Sequence, residues 1–304
     1  MTVALLVLTL VTGAGSPPAA SPADPARQPG ALDAVSRQPG TLSEAQRGQA
    51  MAHRARLTPA DRGRLDAVLA GAAPAEAPYA ARAFAAGHSV AEVTAFAALI
   101  AGRDRYWLRA HLRPIDPAGL RYTDISQYDD TTCGPTTIVA ARALVDPVYA
   151  LWLTTAGRPD SAEERGERQA RRLRTEEQRV HDEADVLWPQ VAGTPPWGVS
   201  ELMSNDPAGL GARYRWFPAL PLLGGVLFRR AVVAAERGYP VPLLIGDAVP
   251  RHYVLLLGRD TFYEPTRGAV VVLGDRELRR RDFGALGWPR LLGVALPGSV
   301  VPGR

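Results

Sequence analysis

The chain has 304 residues, 46% of them hydrophobic and 22% charged, a balance that supports a buried core and excludes a wholly disordered or collagen-like polymer. All 35 basic residues are arginine, so a Walker-type phosphate loop, a Schiff-base enzyme and a Ser-Lys hydrolase are excluded for want of an amine. The one cysteine, Cys133, excludes an internal disulfide and any multi-cysteine zinc or iron-sulfur cage, and the net charge of +4 is too dispersed to mark a nucleic-acid surface.

The N-terminus opens on an apolar run from Val3 to Val11. It is about half the length a membrane span requires and matches the core of a signal peptide, although no arginine precedes it. The expectation is a secreted or envelope-associated protein with no stable membrane span in the mature chain, a cytoplasmic protein with a chance apolar N-terminus being the alternative. The Pro-, Ala- and Ser-rich stretch that follows, to residue 40, reads as a linker.

Residues 41–115 carry a helical pattern with punctuated starts. Thr58-Pro59-Ala60-Asp61 supplies an N-cap, a proline for the first turn and an acid for the helix dipole. Ser89-Val90-Ala91-Glu92 has the form of a capping box. Its context, Gly87-His88-Ser89-Val90-Ala91, partly imitates the nucleophile elbow of serine hydrolases, but the elbow needs a preceding strand and a glycine where Ala91 stands.

Beyond Tyr122 the pattern changes. Helix signals follow Cys133, run through the charged stretch 163–185 with i,i+4 pairs Glu164–Arg168 and Glu167–Arg171, and recur from Gly225 to Arg237. Five strand signals come next: Val241 to Ile245, His252 to Leu257, Thr261 to Tyr263, Val270 to Leu273 and Arg290 to Leu296, parted by glycine turns. Helices first and antiparallel strands later predict an α+β fold.

The chemistry concentrates in Gln127-Tyr128-Asp129-Asp130-Thr131-Thr132-Cys133-Gly134-Pro135. Pro135 is tolerated only in a first helical turn, so a helix starts at Cys133, and the positive end of its dipole favours a thiolate there. A lone cysteine is by default a buried structural residue; a nucleophile needs a base and an acceptor that orients the base. Among five histidines, His53, His88, His111 and His181 lie in helical or charged surroundings and read as solvent-facing. His252 instead opens the apolar strand Tyr253-Val254-Leu255-Leu256-Leu257, and Glu264 ends the next short strand, placed to accept from its Nδ1. Asp260 and Asp247 are the substitute acceptors.

The combined order resembles bacterial cysteine peptidases related to the bacteriocin-processing, double-glycine family. It consists of a glutamine six positions before Cys-Gly, an apolar helix, Gly238-Tyr239-Pro240, the His252 strand and the Glu264-Pro265-Thr266-Arg267-Gly268 turn. The resemblance implies a papain-like fold over residues 116–304, a catalytic helix packed on an antiparallel sheet, preceded by the all-α region. It implies Cys133 as nucleophile, His252 as general acid/base and Gln127 with the Cys133 backbone N–H as the oxyanion hole. Glu264 takes the orienting place where the family usually has Asp or Asn, and the longer side chain must bend back to serve. The implied activity is that of a stand-alone cysteine peptidase or amidase acting on a peptide or protein, through a thioester and without metal or organic cofactor. A cell-wall-directed or transglutaminase-like acyl enzyme, a toxin or effector, and a catalytically impaired binding module on the same fold are the alternatives.

Overall fold

A computed structural model describes residues 30–38, 41–116, 125–157, 166–184, 193–205 and 210–298. The apolar run at Val3 to Val11 and Glu164 of the Glu164–Arg168 pair lie outside the described residues.

Six helices come first: α1 (Ala31–Ser36), α2 (Glu44–Arg56), α3 (Pro59–Gly71), α4 (Ala77–Ala85), α5 (Val90–Ile100) and α6 (Arg105–Leu112). Their starts follow the local code. Thr58 accepts from the Asp61 N–H, and Ser89 and Glu92 cap each other reciprocally, so Ser89 is a helix cap and not an elbow. Helix α1 falls in the stretch that composition assigns to linker. Leu32 and Val35, one turn apart, are buried on one face of it, and two apolar anchors outweigh the surrounding Pro and Gly.

Six helices follow in the second half: α7 (Cys133–Val145), α8 (Pro147–Thr155), α9 (Glu167–Ala184), α10 (Pro196–Ser204), α11 (Gly224–Glu236) and α12 (Asp275–Arg280). The strands are β1 (Tyr214–Pro218), β2 (Val241–Gly246), β3 (Pro250–Leu256), β4 (Thr261–Glu264), β5 (Ala269–Val272) and β6 (Arg290–Pro297). They form one antiparallel sheet in the order β1-β6-β2-β3-β4-β5. The protein is therefore α+β, and the five expected strands lie within two residues of their predicted limits. Helices α8, α10 and α12 and strand β1 were not expected. Each is short; α8, α10 and β1 lack the alternation or the periodicity that separates strand from helix, and α12 is a charged six-residue helix with no buried face.

The sheet is covered on both faces. Leu244, Tyr253, Leu255, Tyr263 and Ala295 pack toward α7, α9 and α10, while Leu243, Ile245, Val254, Phe262 and Val294 pack toward α11. Helix α7 runs through the middle of the first layer, buried from Cys133 to Ala143. A third core lies among α1 to α6, and Leu151 of α8 belongs to it. The helical region is joined to the rest by further contacts: Gln46 Nε2 donates to the Val145 carbonyl at the end of α7, and His88 Nε2 lies 3.0 Å from Asp146, the N-cap of α8.

Candidate functional site

The start of α7 is built by the segment before it. The Asp129 side chain accepts from the Thr131 N–H and hydroxyl in an Asx turn, and the Asp129 carbonyl accepts from Thr132. No side chain caps α7, and Pro135 has no N–H to offer. The amides of Cys133 and Gly134 are thus the forward donors of an uncapped helix end. Gly134 is required by space: a Cβ there would meet Thr194 Cβ at 2.6 Å.

The structure brings Cys133, His252 and Glu264 together. His252 Nε2 lies 2.7 Å from Glu264 Oε1, and the imidazole also interacts with the Cys133 side chain. The nitrogen facing Glu264 is Nε2 and not the expected Nδ1. Register explains why glutamate serves. Leu255 pairs with Tyr263 in the antiparallel ladder, so Glu264 is the diagonal neighbour of His252 on the same face, and diagonal contact needs a long side chain. The carboxylate does bend back, accepting 2.9 Å hydrogen bonds from the Thr266 and Arg267 N–H groups of its own turn. Gly268, at φ +54°, lets that turn close onto the Pro265 carbonyl.

The same turn reaches the other half of the site, since the Gln127 N–H donates to the Pro265 carbonyl at 3.0 Å. The Gln127 side-chain amide is partly committed. One N–H of its amide goes to the Asp129 carbonyl at 2.8 Å, and Oε1 is buried without a partner.

Burial pulls the His252 pKa down, but the Cys133 and Glu264 hydrogen bonds and charges outweigh it and push it up to about 9. Burial raises Glu264, and the His252 and Thr266 hydrogen bonds overcome that and hold its carboxyl below the ordinary range. At neutral pH the pair is an imidazolium facing a carboxylate. Cys133 and His252 are 5% and 7% exposed.

Compared with known proteins, the chain matches no family model, no curated protein and no solved structure.

The remaining expected residues fall elsewhere. Asp247 binds Arg251 and the Val249 N–H, and Asp260 accepts from the Thr261 hydroxyl, so neither substitutes for Glu264. Of the other histidines, His181 is 3% exposed and corrects the expectation of a solvent-facing side chain; it sits on the inner face of α9. His53, His88 and His111 are also only partly exposed, His53 bonded to the Phe84 carbonyl and His88 to Asp146. Among the described residues no group of three or more His, Cys, Asp or Glu is placed to hold a metal ion, and no single helix is long and apolar enough to cross a membrane.

Sequence reasoning missed one acid. Glu177 of α9 is fully buried with its carboxyl against the Thr136 hydroxyl, one turn along α7 from Cys133. Burial pushes its pKa up to about 8, with Thr136 and the Tyr128 backbone pulling weakly the other way. In the sequence it reads as one of eight acids in a solvated charged helix, and only its place on the apolar stripe with Leu173 and Val180 sets it apart.

Proposed function

We propose that the protein is a cysteine hydrolase of amide bonds, a peptidase or amidase, with Cys133 as nucleophile, His252 as acid and base and Glu264 as the group that orients and charges His252. The observation that carries this reading is the meeting of three separate elements, the uncapped start of α7, the start of β3 and the end of β4, in the order sulfur, imidazole, carboxylate.

The reaction has two halves. The Cys133 thiolate attacks the amide carbonyl carbon, and the C=O electron pair moves to oxygen, which accepts from the Cys133 backbone N–H and from the Gln127 amide proton not given to Asp129. As the oxyanion collapses, the C–N bond breaks and His252 Nδ1 gives its proton to the leaving nitrogen. Neutral His252 then takes a proton from water, whose oxygen attacks the thioester; the C–S bond breaks and the thiolate and imidazolium return. The papain-like arrangement of helix on sheet, export from the cell and a peptide substrate belong to the same proposal.

One observation favours a second reading, a peptidase-like module that binds without cleaving: the Gln127 amide already spends an N–H on Asp129. Screening the full chain and Cys133→Ala against a library of fluorogenic peptide amides separates the two. Cleavage that disappears in Cys133→Ala is expected. Binding of the same peptides with no cleavage by either protein would replace the hydrolase reading with the binding module.

A further inference from the structure

The short link from β1 to α11, Ala219-Leu220-Pro221-Leu222-Leu223, turns its leucines outward. Leu222 is 94% exposed, Leu220 and Leu223 are half exposed or more, and exposed Val226 in the first turn of α11 continues the patch. An isolated surface leucine needs no explanation, but four large apolar side chains in one short stretch do.

The link is not free to fold inward. The Leu223 and Gly224 N–H groups both donate to the Leu220 carbonyl at 2.9 Å, and the Ala219 N–H donates to the Leu292 carbonyl of β6 at 2.8 Å. Pro221 and Leu222 are the central residues of that closed turn, and proline is preset for the first of the two places. A turn pinned to the sheet therefore holds Leu222 at its apex.

Cations stand beside the apex. A Cβ at Gly225 would collide with Arg281 Nη1 and lie 3.7 Å from Arg229 Nη1, so guanidinium groups from the end of α12 and from α11 converge over one glycine. Among the described residues no carboxylate pairs with Arg229, Arg230, Arg280 or Arg281. The acids of that neighbourhood are engaged elsewhere: Glu277 accepts from the Gly274 N–H, Asp282 from the Gly284 N–H, and Asp275 lies near Arg259 and Arg279. Like charges held together without a counter-ion repel, and an incoming anion relieves that repulsion.

Leucines at an apex with arginines at its foot match the boundary of an anionic bilayer, where apolar side chains enter the acyl layer and guanidinium groups meet lipid phosphates. A second copy of the chain matches less well, because a two-fold contact through the patch would set these arginines against their own copies.

We infer that the turn between β1 and α11 docks the protein on an anionic lipid surface, with Leu220, Leu222 and Leu223 in the bilayer and Arg229 and Arg281 on the phosphates. The turn leaves the sheet at the end that holds His252: Pro218 pairs with Gly293 of β6, and Ile245 of β2 pairs with both Leu291 of β6 and His252. The surface is argued from exposure and charge and does not depend on the hydrolase reading.

The test is co-sedimentation of the full chain with vesicles of phosphatidylcholine alone or of phosphatidylcholine mixed equally with phosphatidylglycerol. Binding to the anionic vesicles should be about tenfold or more tighter than to the neutral ones and should weaken as salt is raised. Leu222→Ser changes a side chain that the fold leaves in water, and should lower the affinity about tenfold or more. Arg229→Gln combined with Arg281→Gln should bring anionic-vesicle binding down to the neutral level, with thermal melts confirming that each variant folds. Absence of binding to either vesicle overturns the inference, as does equal binding to both, or binding that both variants retain. Dimerisation in analytical ultracentrifugation that Leu222→Ser abolishes, with vesicles ignored, overturns it too and assigns the patch to a second copy.

Discussion

At the scale of single residues, the Glu264 side chain combines three hydrogen bonds that fix its own turn and hold the His252 ring. Its length is what the diagonal register demands, so the conservative change is the damaging one. Glu264→Asp keeps the charge but cannot reach His252, and should lower kcat/KM about 10²-fold or more, as should Glu264→Gln, which keeps the reach but loses the charge. The pH profile divides the two effects. Activity that uses an imidazolium should fall as pH rises through about 9 in the parent chain, and in both variants that limb should move toward lower pH, because the carboxylate no longer favours the charged ring. A second residue-scale prediction concerns Gly134. Gly134→Ala forces Thr194 to move and should destabilise by about 1–3 kcal/mol in a denaturant titration, although alanine is otherwise the better helix former.

Among the elements, α9 shows how a helix can look solvated and still carry a buried acid. Its outer face bears exposed pairs such as Glu167–Arg171, while Glu176 accepts from Tyr149 and Arg179, and Glu177 turns inward. Glu177 has a folded pKa of about 8, above the carboxylate's ordinary 4.5, so the folded state keeps a proton that the unfolded chain releases. The stabilisation is fully present below 4.5 and is lost as pH rises through 8. Thermal melts of Glu177→Gln and the parent should accordingly diverge with pH, the variant gaining on the order of 2–4 kcal/mol relative to the parent between about pH 5 and pH 8. Equal pH dependence in both would show that Glu177 is ionised in the fold. The elements legible in the sequence were those with a local signal: Pro135 fixes the start of α7, Ser89 and Thr58 cap their helices, and alternation or glycine turns delimit β2 to β6. What was not legible depends on long-range register. The ring nitrogen that faces Glu264 follows from how β3 pairs with β4, the commitment of Gln127 to Asp129 follows from the turn before α7, and the buried states of Glu177 and His181 follow from which face of α9 meets α7. Of these only the inward face of α9 leaves a mark at short spacing, the apolar stripe of Leu173 and Val180 on which Glu177 falls.

For the whole molecule, the division into a helical region and a sheet-bearing region is looser than composition suggests. Leu151 of α8 is buried in the core of α1 to α6, Gln46 of α2 holds the end of α7, and α6 walls a cavity together with Gln127 and α9. A chain starting at residue 116 would expose Leu151 and leave the Val145 carbonyl without its partner. It should express as insoluble or partly folded material, with a broadened melt and bound hydrophobic dye, whereas a soluble, sharply melting fragment would show the helices to be a separable unit. The central claim is that Cys133, His252 and Glu264 act as one chemical unit, and the most direct measurement is the rate of Cys133 alkylation by iodoacetamide against pH in the parent, His252→Ala and Glu264→Asp chains. Rapid labelling of the parent is expected at neutral pH, with labelling slower by about tenfold or more in both variants and recovering only at alkaline pH. A Cys133 that resists alkylation in the folded parent, or that reacts at the same rate in all three chains, would contradict it.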